Sequence, residues 1–235
     1  MKISYTFYSL KDLSDLSYGE KLLEILLSNG LVIDKAGDHE PIREPFDSSK
    51  LPEMWKGVGT DGLLSCCFLF KGQKEIRFMG MAGWDINLPS NTKTFNSISL
   101  WFNIPKDYNI SRLLQLGDEF FTWCEAVYGY ITEDSKGQHD IRAGNIHDGL
   151  PGLMWANYFG PTYIMQPDFH LPDGCIPVSH GARLILTDAP NDERLADSSF
   201  REKIENTIGA EWFWHYPQKH KRRRPLFDKR EIIRK

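Results

Sequence analysis

The chain has 235 residues, 41% apolar and 26% charged, which suits one large or two small packed domains and excludes a globally disordered chain. No apolar run nears the ~20 residues that cross a bilayer. The opening segment lacks the ~7–15-residue apolar stretch of a signal peptide, so a cytoplasmic protein with no membrane partner is expected. The net charge of −4 hides an asymmetry: residues 219–235 hold nine Lys/Arg against Asp228 and Glu231, a net of +7. Residues 1–218 keep 19 basic and 30 acidic side chains, a net of −11.

Residues 2–8 alternate Ile3, Tyr5 and Phe7 with polar neighbours and predict an opening strand. Leu22, Leu23, Leu26 and Leu27 predict a helix over 17–28, stopped by Asn29-Gly30. Residues 34–62, rich in Pro, Gly and Asp, form a long connection with room for a short edge strand. Strands follow at 63–70, 75–81 and 97–103, the first two joined by a turn at 71–74. In the third, Ile98, Leu100 and Phe102 alternate with Ser99, Trp101 and Asn103. Met79-Gly80-Met81-Ala82-Gly83 predicts a bulged strand end.

Asn109 or Ser111 starts a helix running to about 128, with Leu113, Leu114, Phe120, Phe121, Cys124 and Val127 at helical spacing. A strand over 128–132 and a glycine-rich loop over 133–152 come next. Gly160-Pro161 predicts a short helix over 161–166. Segments 175–178 and 182–187 predict a hairpin around His180-Gly181. Ser199 with Glu202 matches a capping box opening a helix that carries Phe200, Ile204 and Ile208 and ends at Gly209. The sum is an α+β fold of antiparallel sheets packed by helices. One domain over 1–218 is expected, its second half (128–218) loosely echoing the first (1–127), followed by a basic, mobile tail over 219–235.

No catalytic signature is present: P-loop, G-x-S-x-G elbow and G-x-G-x-x-G are all missing. Ser179-His180 are chain neighbours in a turn, where side chains diverge instead of forming a nucleophile–base pair. His139-Asp140 and His147-Asp148 carry metal-ligand chemistry. In a glycine-rich loop without a helical scaffold they read as solvated residues, and a metal-dependent hydrolase is the alternative they define. Asp188, Asp192 and Glu193 approach a helix start, where carboxylates meet the positive end of the helix dipole. Cys66, Cys67, Cys124 and Cys175 show no zinc spacing and predict free thiols. No cofactor is expected. His220-Lys221-Arg222-Arg223-Arg224 has no stacking platform beside it, so a solubilising tail outweighs nucleic-acid binding. Of the seven tryptophans, Trp55, Trp84, Trp212 and Trp214 stand in loop-like or terminal segments, where exposed indoles anchor interfaces, although core packing is the default for each.

The run Leu153-Met154-Trp155-Ala156-Asn157-Tyr158-Phe159-Gly160-Pro161-Thr162-Tyr163-Ile164 resembles a segment of the immunity proteins of bacterial polymorphic toxin systems, in particular the immunity protein 52-like family. Residues 182–190 and 208–213 are similar to its closing strand and helix end, and the layout from Tyr5 to 103 is compatible with it. The resemblance implies a non-enzymatic protein that binds and blocks a cognate toxin, and it implies no catalytic residue. An acidic body suits a basic toxin. Within the run, Gly160-Pro161 starts a helix while Trp155, Tyr158 and Phe159 pack the core.

Overall fold

The computed structural model describes residues 1–55, 65–73, 76–85, 95–105, 108–134, 146, 149–179, 181–223 and 225, with the backbone alone at 65, 66 and 85. In chain order the strands are β1 (Lys2–Ser9), β2 (Lys35–Gly37), β3 (Ser65–Gly72), β4 (Arg77–Asp85), β5 (Asn96–Asn103), β6 (Tyr128–Glu133), β7 (Ala156–Phe159), β8 (Ile176–Val178) and β9 (Gly181–Ile185). The α-helices are α1 (Leu16–Ser28), α2 (Leu51–Trp55), α3 (Ile110–Trp123), α4 (Pro161–Ile164) and α5 (Ser198–Ile208). All nine strands form one antiparallel sheet in the order β2-β3-β4-β5-β1-β6-β7-β9-β8. The fold is therefore α+β, built on one sheet that runs unbroken across the β1–β6 pairing.

Alternation decides what each face holds. On one face Ile3, Tyr5 and Phe7 of β1 meet Ile98, Leu100 and Phe102 of β5, all buried under α1, α2 and α3. Phe7 sits at the centre, its ring 5.2 Å from Tyr158 and within 6.4 Å of Phe120 and Phe121. A Cβ at Gly129, opposite Phe7, would fall 2.0 Å from that ring, so the strand needs glycine there. On the other face a second core covers β6, β7 and β9, with Tyr8 of β1 packed against its edge. Tyr128, Phe159 and Leu184 pack there against Leu150, Tyr163, Phe169, Ile208, Trp212 and Phe213.

Several local expectations change. The segment Met79–Gly83 is no bulge: β4 pairs without interruption to β3 and β5 through Asp85 and Gly83 respectively. Gly80 instead makes room for Phe70, whose ring a Cβ would approach to 2.3 Å. The cap of α5 is Asp197, which accepts from the Ser199 N–H at 2.9 Å, so Ser199 lies inside the helix. Helix α3 stops at Trp123, because Glu125 takes a left-handed turn (φ 45°) that swings the chain into β6. Helix α4 ends at Ile164, two residues short of 166. The default reading holds for three tryptophans: Trp55, Trp84 and Trp212 are core residues, 1–3% exposed, and Trp55 stacks on Trp84 at 4.4 Å.

Candidate interaction surface

Helices α1 and α3 lie side by side on the sheet because each presents small residues to its support. A Cβ at Gly19 of α1 would sit 2.7 Å from Trp55, and one at Gly117 of α3 would sit 2.4 Å from the Tyr158 hydroxyl. Leu22, Ile25 and Leu26 of α1 and Leu113, Leu116, Phe120 and Phe121 of α3 face inward. The polar positions are left on the outer side, flanking a groove of about 520 Å³ between the helices. Glu24, Asp118, Glu119, Thr122 and Lys21 line it, over a floor that includes Ile25 and Trp123.

The carboxylates of this groove are held in defined positions. Glu119 accepts from the Asn29 side chain at 2.7 Å and from Gln115 at 3.0 Å, which ties the C-terminal cap of α1 to α3. Asp118 receives Arg183 of β9 at 2.5 and 2.6 Å; Arg183 is 9% exposed. Thr122 shares a 2.6 Å hydrogen bond with Ser179. Glu24 meets Lys21 at 2.6 Å in an exposed pair. Such pairs stabilise by only ~0–1 kcal/mol, so Glu24 remains open to a better partner. Across residues 11–29 and 110–125 stand seven carboxylates (Asp12, Asp15, Glu20, Glu24, Asp118, Glu119, Glu125) against Lys11, Lys21 and Arg112. Leu27, 60% exposed on the same helix as Glu24, adds an apolar contact beside this negative layer.

The residues singled out for other chemistry are placed as follows. His139, Asp140, His147, Asp148 and His180 lie outside the described residues. Among the described residues no group of three His, Cys, Asp or Glu is arranged to hold a metal ion. Asp192 caps a 3-10 turn at Glu193–Ala196 and grips Arg194 at 2.8 and 3.1 Å; the Arg194 guanidinium keeps its carboxyl below the ordinary range. Cys67, Cys124 and Cys175 are free thiols, each pushed up by burial, Cys175 to about 11. The basic segment starts against the body: Lys219–Lys221 form a 3-10 turn, and Arg223 pairs with Asp168 and with Glu211. Trp214 is half-buried, and Trp101, which the strand pattern placed among polar residues, is half-exposed. Among the described residues no helix is long and apolar enough to cross a membrane.

Within the run 153–164, Trp155, Tyr158 and Phe159 are buried as expected. Trp155 donates to Thr187 O at 2.9 Å. The fully buried Asn157, which the sequence reading gave no part, is the polar hub. Its Oδ1 accepts from Met154 N–H at 2.9 Å and from the Tyr128 hydroxyl at 3.1 Å, while its Nδ2 donates to Met154 O at 2.8 Å.

Sheet, helix layer and groove together define an α+β protein whose helix side offers an acidic, partly apolar recess. No protein-family model matches the chain, and none of the curated proteins matches it in sequence. In fold it is similar to the Pseudomonas aeruginosa T6SS protein PA0821, with a TM-score of 0.50 over 88% of this chain and 75% of that one. The two are 13% identical in sequence, so the likeness concerns the fold.

Proposed function

We propose that this chain neutralises a bacterial protein toxin by binding it one to one, with the α1/α3 groove set against a basic surface of that toxin. The observation that carries the reading is the acidic groove itself: Glu24, Asp118 and Glu119 line it against Lys21, with Arg183 behind Asp118 and the exposed Leu27 on the same helix as Glu24. Charge of one sign spread over a surface steers an oppositely charged partner and fixes its orientation, while apolar contact supplies affinity. Two further observations support it. The run 153–164 and segments 182–190 and 208–213 resemble immunity proteins, and the fold is similar to that of a T6SS protein. On this reading the protein acts by occlusion in the cytoplasm and performs no catalysis.

The test is co-expression with the product of the adjacent open reading frame. The expected result is restored growth and a one-to-one complex by size-exclusion chromatography with light scattering. Glu20→Lys with Glu24→Lys should weaken that complex about 10-fold or more at low salt, with the wild-type advantage shrinking as salt is raised. No complex and no protection would overturn the proposal.

A further inference from the structure

The side of the sheet turned away from α1 and α3 is covered only in part. The second core packs over β6, β7 and β9 and meets β1 at Tyr8, whereas no described helix lies over β4, β5 and the Lys2 end of β1. Several side chains there are accessible, though Ser4 and Ser99 are buried: Met79 is 37% exposed, and Leu69, Met81 and Trp101 are half-exposed. Strand register gathers on this face cations that are far apart in sequence. Arg77 of β4 stands opposite Asn103 of β5, which stands opposite Lys2 of β1. The next row holds Lys71, Met79, Trp101 and Ser4, with Lys35 of β2 opposite Lys71.

A cleft of about 330 Å³ opens at this end of the sheet, lined by Lys2, Lys71, Arg77, Met79, Trp101 and Asn103. Asp134 is the one carboxylate among its described lining residues. Among the described residues no ion pair holds Lys2, Lys71 or Arg77. Among the described residues, the cleft at this end of the sheet is therefore basic, whereas the groove between the helices on the opposite side is acidic.

We infer that this cleft docks an extended acidic segment of a partner protein, with carboxylates on Lys2, Arg77 and Lys71 and an apolar side chain on Trp101 and Met79. Three unpaired cations around one carboxylate leave a local positive charge that an anionic segment neutralises. Arg77 and Lys2 stand two strand spacings apart, ~10 Å, and alternate side chains of an extended peptide are ~6.6 Å apart, so two glutamates reach both. Methionine adapts to irregular apolar partners and tryptophan is a preferred interface anchor. A single-stranded nucleic acid is the poorer match. It stacks successive bases on successive aromatic rings, and Trp101 is the one aromatic ring in the described lining that lies on the outer face.

The inference does not rest on the toxin-binding groove, which lies on the opposite side of the sheet. Its test is fluorescence polarisation of a labelled nine-residue peptide alternating Glu with Leu and Phe. A Lys-for-Glu version serves as control and a dT12 oligonucleotide as competitor. Binding of the acidic peptide alone is expected, weakened about 10-fold or more by Lys2→Glu with Arg77→Glu. Trp101→Ala should weaken it several-fold. Lys2 and Arg77 are exposed, so unchanged melting of the double variant would show the fold intact. Glu20→Lys with Glu24→Lys should leave the peptide affinity unchanged, which separates this outcome from that of the toxin groove. No binding of the acidic peptide, binding indifferent to the double reversal, or tighter binding of dT12 would overturn the inference.

Discussion

Asn157 is the side chain on which the second core depends, and its replacement by alanine gives the sharpest stability prediction. It is fully buried, as is Tyr128, and Met154 is 4% exposed. Asn157→Ala strips the acceptor from two buried donors, the Met154 N–H and the Tyr128 hydroxyl, and removes the donor to Met154 O. An orphaned buried donor costs ~1–3 kcal/mol, so the loss is about 2–6 kcal/mol, centred near 4. For a chain of this size each kcal/mol lowers Tm by ~2–4 °C, so a fall of roughly 8–16 °C is expected by calorimetry. Tyr128→Phe, which removes one donor and leaves the Met154 bonds in place, should cost only ~1 kcal/mol. The double variant should cost less than the two singles together, because it leaves no orphaned hydroxyl. Urea unfolding that assigned Asn157→Ala less than ~1 kcal/mol would refute the hub.

Other expectations follow from the same contacts. Gly117→Ala should push α3 off Tyr158 and Ile131, destabilise by ~1–3 kcal/mol, and weaken the proposed toxin complex by tilting the groove; equal affinity and equal Tm would contradict it. Asp197→Ala should lower Tm at neutral pH by loosening the start of α5. Hydrogen bonds from Ser199 hold the Asp197 carboxyl below its ordinary value. That contribution is present above the unfolded-state pKa of ~3.9 and lost as pH falls through the folded one, so the two melting curves should converge on acidification. Cys175, with its thiol pushed up to about 11, should alkylate slowly at pH 8 and faster up to that value; fast labelling at pH 8, read by mass spectrometry, would be the contrary result.

Much of the fold was legible in local spacing. Alternation placed β1 and β5 to within a residue, and helical periodicity found α1 and α3, because one-sided burial writes its period directly into the chain. The same alternation put Trp101 on the face opposite Ile98 and Leu100, and that signal marked the open-face indole, while loop composition left Trp55, Trp84 and Trp212 between interface and core, with core the default that the structure bears out. Those three are buried through distant partners: Gly19 clears space for Trp55, Trp84 stacks on it, and Trp212 donates to Asp168 O at 3.0 Å. The strand order was not legible, since β6 beside β1 and β9 between β7 and β8 depend on long-range pairing. The acidic excess of the body was visible as a sum. Its separation from the cation row was not, because Lys2, Lys71 and Arg77 become neighbours only through register.

The short strand β8 closes one end of the sheet, with Pro177 in its middle and three residues in all. A proline offers no N–H for a further strand to take up, and three residues give an incoming chain little length to grip. At that margin the sheet resists lengthening, by another copy of itself or by a passing extended peptide. Whatever approaches this molecule from the β8 end is therefore turned toward its broad sides, where side chains rather than main-chain groups decide what is admitted.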